Sequence, residues 1–338
     1  MASFFPGNKD HASPLNMKIL HLDGAQFSTL ALARLREFAE VELFDCQDQE
    51  DLYQHLQSNS YEVIITRLGL MLDAKSLTLQ PGLRYILSAT TGLNHIDITE
   101  AECRGIKIIS LKGESEFLAD IRSTAEHTWG LILALLRQLP GAIKSVAEGH
   151  WSRREFLSEE LDGKTLGIIG YGRLGKIVSR YGQVFRMNVL VADKSIPVTT
   201  EPGVCGVATD ELLSKADIVV LLISWSEENA GFMNGARFDL MKSGSWFINT
   251  SRGELVDEAA LVANLVSGKL RGAALDVLDQ DSAWSGRVSG SEKLMAYARA
   301  NNNLLITPHM GGYGRTSIEK TRDFITDKFI SYAKSEKK

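Results

Sequence analysis

Cysteine is scarce in this chain: Cys46, Cys103 and Cys205 are scattered through 338 residues. Such an odd, sparse set, without metal-site spacing, excludes a disulfide framework and points to thiols kept reduced. A cytoplasmic location is therefore expected, and no metal site. No segment approaches about 18 uninterrupted apolar residues, so no membrane span is expected. A basic excess is also absent. The net charge of −5 argues against a nucleic-acid partner. Internal repeats and low-complexity tracts are missing. Residues 1–16 lack the apolar core of a signal peptide and read as a polar lead-in. What remains is an ordinary globular composition, long enough for two domains with separate cores.

The most informative stretch runs from Thr165 to Asp193. An apolar strand, TLGII, leads into Gly170-Tyr171-Gly172-Arg173-Leu174-Gly175, a G-x-G-x-x-G that opens a helix. A second strand then ends on Asp193. Gly170 allows the tight turn out of the strand, Gly172 lets the backbone approach a pyrophosphate, and Gly175 lets helix and strand pack closely. The helix N-terminus offers free N–H groups and a partial positive charge to phosphates. Asp193 suits the adenosine ribose hydroxyls and would repel a 2′-phosphate, which favours NAD over NADP. Arg173 either faces a phosphate or is a solvated charge.

Before this stretch, strands are expected at Lys18–Leu22, Val41–Phe44, Val63–Thr66, Arg84–Ser88 and Lys107–Ser110. They alternate with helices at Thr29–Glu37, Glu50–Gln57 and Thr99–Arg104, the pattern of a parallel, doubly wound sheet. A helix over Thr124–Leu139 is apolar on nearly every face and must be covered on all sides. It is either an ordinary core helix or a contact between domains or subunits. The second unit shows six strands in a Rossmann pattern: Leu166–Ile169, Val189–Ala192, Ile218–Ile223, Ser245–Asn249, Gly272–Leu275 and Leu304–Thr307. A closing helix over Thr316–Tyr332 is expected to return to the first unit. The fold class is thus α/β with two doubly wound parallel-sheet domains. The boundaries are 17–118 plus 311–338 for a flavodoxin-like substrate domain and 119–310 for a Rossmann NAD-binding domain.

Three strand ends of the second sheet carry chemistry. Arg252 follows SWFINT, Asp281 follows GAALDV, and His309 follows LLITP. In a parallel sheet all of them lie at the edge that holds the glycine loop. Hydride exchange between nicotinamide and a C–OH carbon needs a proton donor or acceptor on the oxygen. Histidine titrates near neutrality and suits that task. A carboxylate beside it would orient the ring, and an arginine would pair with a substrate carboxylate and polarise a keto oxygen.

In these motifs the chain resembles the D-isomer-specific 2-hydroxyacid dehydrogenase family. The resemblance rests on ATTGLNHID (Ala89–Asp97), STAEHTWGLILALLR (Ser123–Arg137), LDGKTLGIIGYGRLG (Leu161–Gly175), INTSRGELVDEAAL (Ile248–Leu261), ALDVLDQD (Ala274–Asp281) and TPHMGGY (Thr307–Tyr313). It implies Arg252 for substrate binding, His309 as acid/base and Asp281 as its carboxylate partner. It implies a substrate carboxylate held by backbone N–H groups near Thr91, Gly92 and Leu93. NAD would be contacted by Gly170 to Gly175, Asp193, Ser226, Thr250, Asp276, His309 and Gly311, with Asp276 on the nicotinamide carboxamide. A homodimer acting on a small 2-hydroxy or 2-keto acid is expected, with D specificity implied by the family alone.

The chain departs from the family's pattern at several places. Asp281 stands where glutamate is usual, shortening the reach by about 1.5 Å. Thr90-Thr91-Gly92 replaces glycine, valine, glycine, which suggests a more polar substrate or bound water. Leu222 and Ser224 replace a histidine and a proline. The longer GESEFLADIR segment offers Glu116 or Arg122 to the substrate. Of the other histidines, His95 is a candidate to line the substrate cleft, whereas His127 reads as interface or structure. Two rival functions follow: a phosphoglycerate dehydrogenase-like enzyme on a phosphorylated substrate, and a non-catalytic NAD-binding scaffold of the corepressor kind.

Overall fold

The computed structural model describes residues 17–24, 27–194, 201–279 and 291–336. The chain divides into two units, residues 1–113 with 318–338, and residues 114–317. The sequence reading puts these junctions at 118/119 and 310/311. Two contacts account for the difference. Arg173 donates to the carbonyls of Leu118 and Ile121, which ties residues 114–122 to the second unit. Ser123 bonds the carbonyl of Gly311 and the N–H of Gly314, which keeps residues 311–317 there as well.

In the first unit, strands β1 (Lys18–His21), β2 (Glu40–Leu43), β3 (Val63–Ile65), β4 (Tyr85–Ser88) and β5 (Lys107–Ser110) form one parallel sheet in the order β2-β1-β3-β4-β5. This is the doubly wound flavodoxin-like order. Helices alternate with the strands: α1 (Thr29–Phe38), α2 (Gln49–Ser58), α3 (Ala74–Thr78) and α4 (Ile98–Cys103). Their starts are set locally. Ser28, Asp48, Asp73 and Asp97 each accept a hydrogen bond from an N–H in the first turn of the helix they cap. The C-terminal helix α13 (Arg315–Ser335) adds its residues from Ile318 onward to this unit. There Phe329 meets Phe38 and Tyr85 edge-on, and Arg322 pairs with the carboxylate of Asp23 at 2.6 Å.

The second unit begins with α5 (Ser115–Leu118), α6 (Ser123–Leu136) and α7 (Leu139–Ala147). Its strands are β6 (Thr165–Ile169), β7 (Asn188–Ala192), β8 (Val204–Gly206), β9 (Ile218–Leu221), β10 (Ser245–Asn249), β11 (Leu270–Leu275) and β12 (Leu304–Ile306). All pair in parallel in the order β12-β11-β10-β9-β6-β7-β8, so the direction of winding switches between β6 and β9. The sheet has seven strands, one more than the sequence pattern shows. Three-residue β8 is too short to carry a periodicity signal.

Side chains alternate between two cores. Ile218, Val220, Trp246 and Ile248 face α6 and α8 (Arg173–Val184), while Val219, Leu221 and Phe247 face the other layer. That layer includes α9 (Thr209–Lys215), α10 (Gly235–Leu240), α11 (Glu258–Val266) and α12 (Glu292–Ala300). The apolar helix expected over Thr124–Leu139 is α6, and it is a core helix of this unit. Trp129, Ile132 and Leu135 are buried against the sheet and α8. Exposed apolar residues follow it directly, Leu139, Ile143 and Val146 on α7. Among the described residues, no single helix is long and apolar enough to cross a membrane.

Candidate active site

The glycine loop sits at the C-terminal end of β6, beside the point where the winding reverses. Gly170 has φ +100°, and a Cβ there would lie 2.7 Å from the Leu222 backbone. Only glycine meets both conditions without displacing that strand end. Gly172 starts α8 with no side chain capping it, and a Cβ built at Gly172 meets nothing within 4 Å. Open donors at the start of a three-turn helix, with clear space before them, suit a pyrophosphate. Asp193 stands at the end of the neighbouring β7, and its carboxylate accepts from the Tyr171 N–H at 2.7 Å. This bond fixes the acid beside the loop, where a ribose would meet it. The Tyr171 ring is buried and its hydroxyl bonds Glu201 at 2.6 Å. Burial, helped by that bond, pushes its pKa up to about 12.

Arg173 is partly buried and so is not the solvated charge of the second expectation. Its guanidinium donates to the carbonyls of Leu118 and Ile121 at 3.1 and 2.9 Å, and burial lowers its pKa. It is a tie between α8 and the segment entering α6. Leu174, the next residue, is partly buried against the core. Ser226 lies in the loop after β9, where its N–H donates to Asn229 at 2.7 Å. Thr250 is buried at the end of β10, its hydroxyl bonded to Thr128 on α6 at 2.8 Å.

Arg252 leaves the end of β10 on a turn pinned by Asn249. The Asn249 side chain donates to the Arg252 carbonyl at 2.8 Å and accepts from both the N–H and the hydroxyl of Ser251. The guanidinium bonds the Ser251 carbonyl through one nitrogen at 2.6 Å. No ion pair with Glu254 or any other described carboxylate holds it, so most of its donors are open to a ligand. Gly253 follows, and its Cα sits against the Leu278–Asp279 peptide. A Cβ at 253 would overlap the Leu278 carbonyl and the Asp279 nitrogen. The arginine turn and the end of the Asp276–Asp279 segment are therefore locked together. Asp281 lies outside the described residues. The Glu258 carboxylate accepts from the N–H groups of Asp279 (3.1 Å) and Ser291 (2.7 Å).

His309 is one of three non-glycine residues with positive φ among those described, at +50°. A left-handed backbone costs a side-chain-bearing residue about 1–2 kcal/mol. Asp276 holds it there. The Asp276 carbonyl accepts from His309 N–H at 2.8 Å. Its carboxylate, almost wholly buried, accepts from Met310 N–H (2.9 Å), Gly311 N–H (2.7 Å), the Thr307 hydroxyl (2.6 Å) and His127 Nε2 (3.1 Å). Burial raises the pKa of Asp276, but the bonds from His127, Thr307 and the two N–H groups more than offset it, and the net shift is downward. Asp276 is thus the anchor of the histidine turn. That role was not legible in the sequence, and neither was His127 as its partner.

In the first unit the expected substrate loop follows β4. The carbonyls of Thr90, Gly92 and Leu93 all accept hydrogen bonds, from Leu111 N–H, the Thr90 hydroxyl and Ile96 N–H. The N–H groups of Thr91, Gly92 and Leu93 donate to no acceptor among the described residues. Thr90 does not offer its hydroxyl outward, so only Thr91, which is exposed, can add polarity to the loop's outer face. His95 is a buried core histidine bonded to Thr66 and Ser88, not a cleft residue. Arg122 is exposed at the start of α6, and Glu116 lies in α5. No cluster of three potential metal ligands occurs among the described residues.

A seven-stranded parallel sheet with a glycine loop at its switch point, an open helix terminus and an acid at the next strand end defines a dinucleotide-binding α/β protein. Comparison with known proteins narrows this. Residues 129–311 match the family model for the D-isomer specific 2-hydroxyacid dehydrogenase NAD binding domain. The chain is 33% identical over 297 residues to a D-3-phosphoglycerate dehydrogenase of Archaeoglobus fulgidus, covering 87% of this chain and 53% of that protein. It thus spans about half the length of that relative. It is 30% identical over 276 residues to a hydroxypyruvate reductase of Thermotoga maritima, covering 80% of this chain and 86% of that one. A crystal structure of D-lactate dehydrogenase from Aquifex aeolicus, complexed with NAD and lactic acid, superposes with a TM-score of 0.79 at 27% identity, covering 94% of this chain and 96% of the other. The chain belongs to the D-isomer specific 2-hydroxyacid dehydrogenase family, and NAD is its cofactor.

Proposed function

We propose that this protein interconverts a D-2-hydroxy acid and its 2-keto acid, with NAD as the hydride carrier. The observation that carries the reading is the His309 turn. A strained histidine is held by a buried, fully bonded carboxylate at the sheet edge that bears the glycine loop. Strain of this kind persists where a side chain must be aimed. Bound NADH supplies the hydride to the keto carbon. His309 donates the proton to the keto oxygen, and takes it back in the reverse direction. Arg252, with most of its donors open, pairs with the substrate and polarises the carbonyl. Asp281 stabilises the protonated imidazole. The N–H groups of Thr91, Gly92 and Leu93 receive the substrate carboxylate.

NAD contacts are assigned to residues 170–175, Asp193, Ser226, Thr250, His309 and Gly311. Asp276 acts on the cofactor's side of the site by holding Gly311 and the histidine turn. A phosphorylated substrate is the second reading, supported by the phosphoglycerate dehydrogenase relative. The chain is further assigned to a homodimer formed through α7 and the segment after it. Leu139, Ile143 and Val146 share one helix face and are exposed, Ile143 at 68%, and Trp151 is 91% exposed. Three free cysteines, two of them exposed, support a reducing, cytoplasmic setting.

The test is NADH oxidation across 2-keto acids of differing size and charge, phosphorylated ones included. Turnover of at least one is expected, and Arg252→Ala and His309→Ala should each remove most of it while NADH still binds. Tight NADH binding without turnover of any acid would favour a binding-only scaffold. Near wild-type activity in His309→Ala would overturn the acid/base assignment.

A further inference from the structure

The loop assigned to the substrate carboxylate is held by a buried chain of hydroxyls that ends on a histidine. Ser88, at the end of β4, is fully buried, and its Oγ lies 2.7 Å from Thr90 Oγ1 and 3.1 Å from His95 Nε2. Thr90 Oγ1 lies 2.7 Å from the Gly92 carbonyl. Thr66 Oγ1 lies 3.2 Å from both His95 Nε2 and the Leu87 carbonyl.

Proton counting fixes every direction in this chain. A carbonyl only accepts, and a hydroxyl has one hydrogen. Thr90 therefore donates to Gly92 and accepts from Ser88. Ser88, its hydrogen spent on Thr90, accepts from His95 Nε2, which must carry a hydrogen. Thr66 donates to Leu87 and can only accept from the same Nε2–H. The series thus runs one way, from the imidazole through two hydroxyls to the Gly92 carbonyl.

The consequence lies in what is left over. With the Gly92 carbonyl drawn back by Thr90, and those of Thr90 and Leu93 taken by Leu111 and Ile96, three of the loop's four carbonyls are occupied and three successive N–H groups are unspent. Successive free N–H groups form a concavity that binds anions. We propose that Thr90 is a positioning residue. Through Ser88 and His95 it sets the 90–93 loop as a preformed carboxylate receptor, a task that a glycine at position 90 would leave to the backbone alone. This rests on the functional reading above. It also replaces the expectation that Thr90 signals a polar substrate.

The test compares wild type with Thr90→Val, which keeps shape but loses the hydroxyl, and Thr90→Ser, which restores it. Thr90→Val should raise KM for the preferred 2-keto acid about tenfold, the worth of one lost hydrogen bond of about 1.4 kcal/mol, with kcat changed far less. NADH affinity should not move, and Thr90→Ser should recover wild-type KM. A second readout does not need turnover. Oxamate, an unreactive 2-keto acid analogue, should shift the amide NMR signals of Thr91, Gly92 and Leu93 at lower concentration in wild type than in Thr90→Val. If wild type turns over a 2-keto acid and Thr90→Val keeps its KM, the inference falls and the functional reading stands. If no 2-keto acid reacts but oxamate shows the difference, the inference stands as a binding device and the catalytic reading falls. If neither turnover nor oxamate shifts are seen, both fall.

Discussion

Replacing Asp276 with asparagine separates two roles for that residue, contact with the nicotinamide and anchorage of the histidine turn. The carboxylate receives four donors: His127 Nε2, the Thr307 hydroxyl and Met310 N–H on Oδ1, and Gly311 N–H on Oδ2. Asparagine offers one oxygen. Its least costly orientation keeps that oxygen toward the three donors at Oδ1 and turns its NH2 toward Gly311 N–H, donor against donor. A buried donor left without an acceptor costs about 1–3 kcal/mol. The other three bonds lose charge assistance, which roughly doubles the strength of such bonds.

Together these amount to about 3–5 kcal/mol. That is less than the whole stability of a typical domain, about 5–15 kcal/mol. The loss should be released where strain is already stored, in the left-handed His309 backbone, so that the turn opens and the domain survives. Hydrogen exchange of the Met310 and Gly311 amides in the cofactor-free protein should speed up about 100-fold or more, the equivalent of about 3 kcal/mol. Turnover should fall about 100-fold with the misplaced imidazole, while NADH affinity, set by the glycine loop and Asp193, changes far less. The pH dependence follows in sign. The folded-state pKa of Asp276 lies below its ordinary 3.8. Its stabilisation is therefore complete above that value and lost as pH falls through the lower, folded value. The gap between wild type and variant should stay flat at neutral and mildly acidic pH and close only below about pH 4. Unchanged amide exchange together with a large loss of NADH affinity would refute the anchoring argument and restore the nicotinamide contact.

Three other substitutions test separate parts of the assignment. Asp193→Ala should narrow the preference for NAD over NADP by about tenfold or more, measured as the ratio of kcat/KM values, and an unchanged ratio rejects its role at the ribose. Gly253→Ala drives a methyl into the Leu278–Asp279 peptide; a melting temperature lower by about 5 °C or more and loss of turnover are expected, and wild-type behaviour would mean the two strand ends are not locked. Ile143→Asp, on the exposed face of α7, should yield monomers by analytical ultracentrifugation, and a persisting dimer would move the interface elsewhere.

The elements that the sequence made legible are those with local signals. Buried parallel strands such as Val63–Ile65 and Ile218–Leu221 are continuous apolar runs, and the glycine loop is a spacing. Arg252 and His309 were placed by the rule that parallel strands end at one edge. The missed features depend on partners far away in sequence. Arg173 binds carbonyls more than 50 residues earlier, and His127 meets Asp276 across 149 positions. No periodicity encodes such bonds. Helix α6, apolar all round, reads equally as a core helix or a contact surface, because a helix covered by a sheet on one side and α8 on another has the same composition as either. The surface proposed for the dimer lies one helix further on, where Leu139, Ile143 and Val146 stay exposed at helical spacing.

Thr90 shows the same limit at closest range. In the sequence, two threonines in place of glycine and valine read alike, as two hydroxyls added to a substrate loop. In the structure they have opposite fates. The Thr90 hydroxyl is consumed by the Gly92 carbonyl, while Thr91 is exposed. What separates them is a buried serine two residues earlier and a histidine five residues later, each ordinary when read alone. A polar substitution thus changes specificity only if no buried acceptor claims its hydrogen first. Under the proposed function, Thr91 is by that criterion the residue at which this loop would select among acids, and Thr90 the one that would make the selection possible.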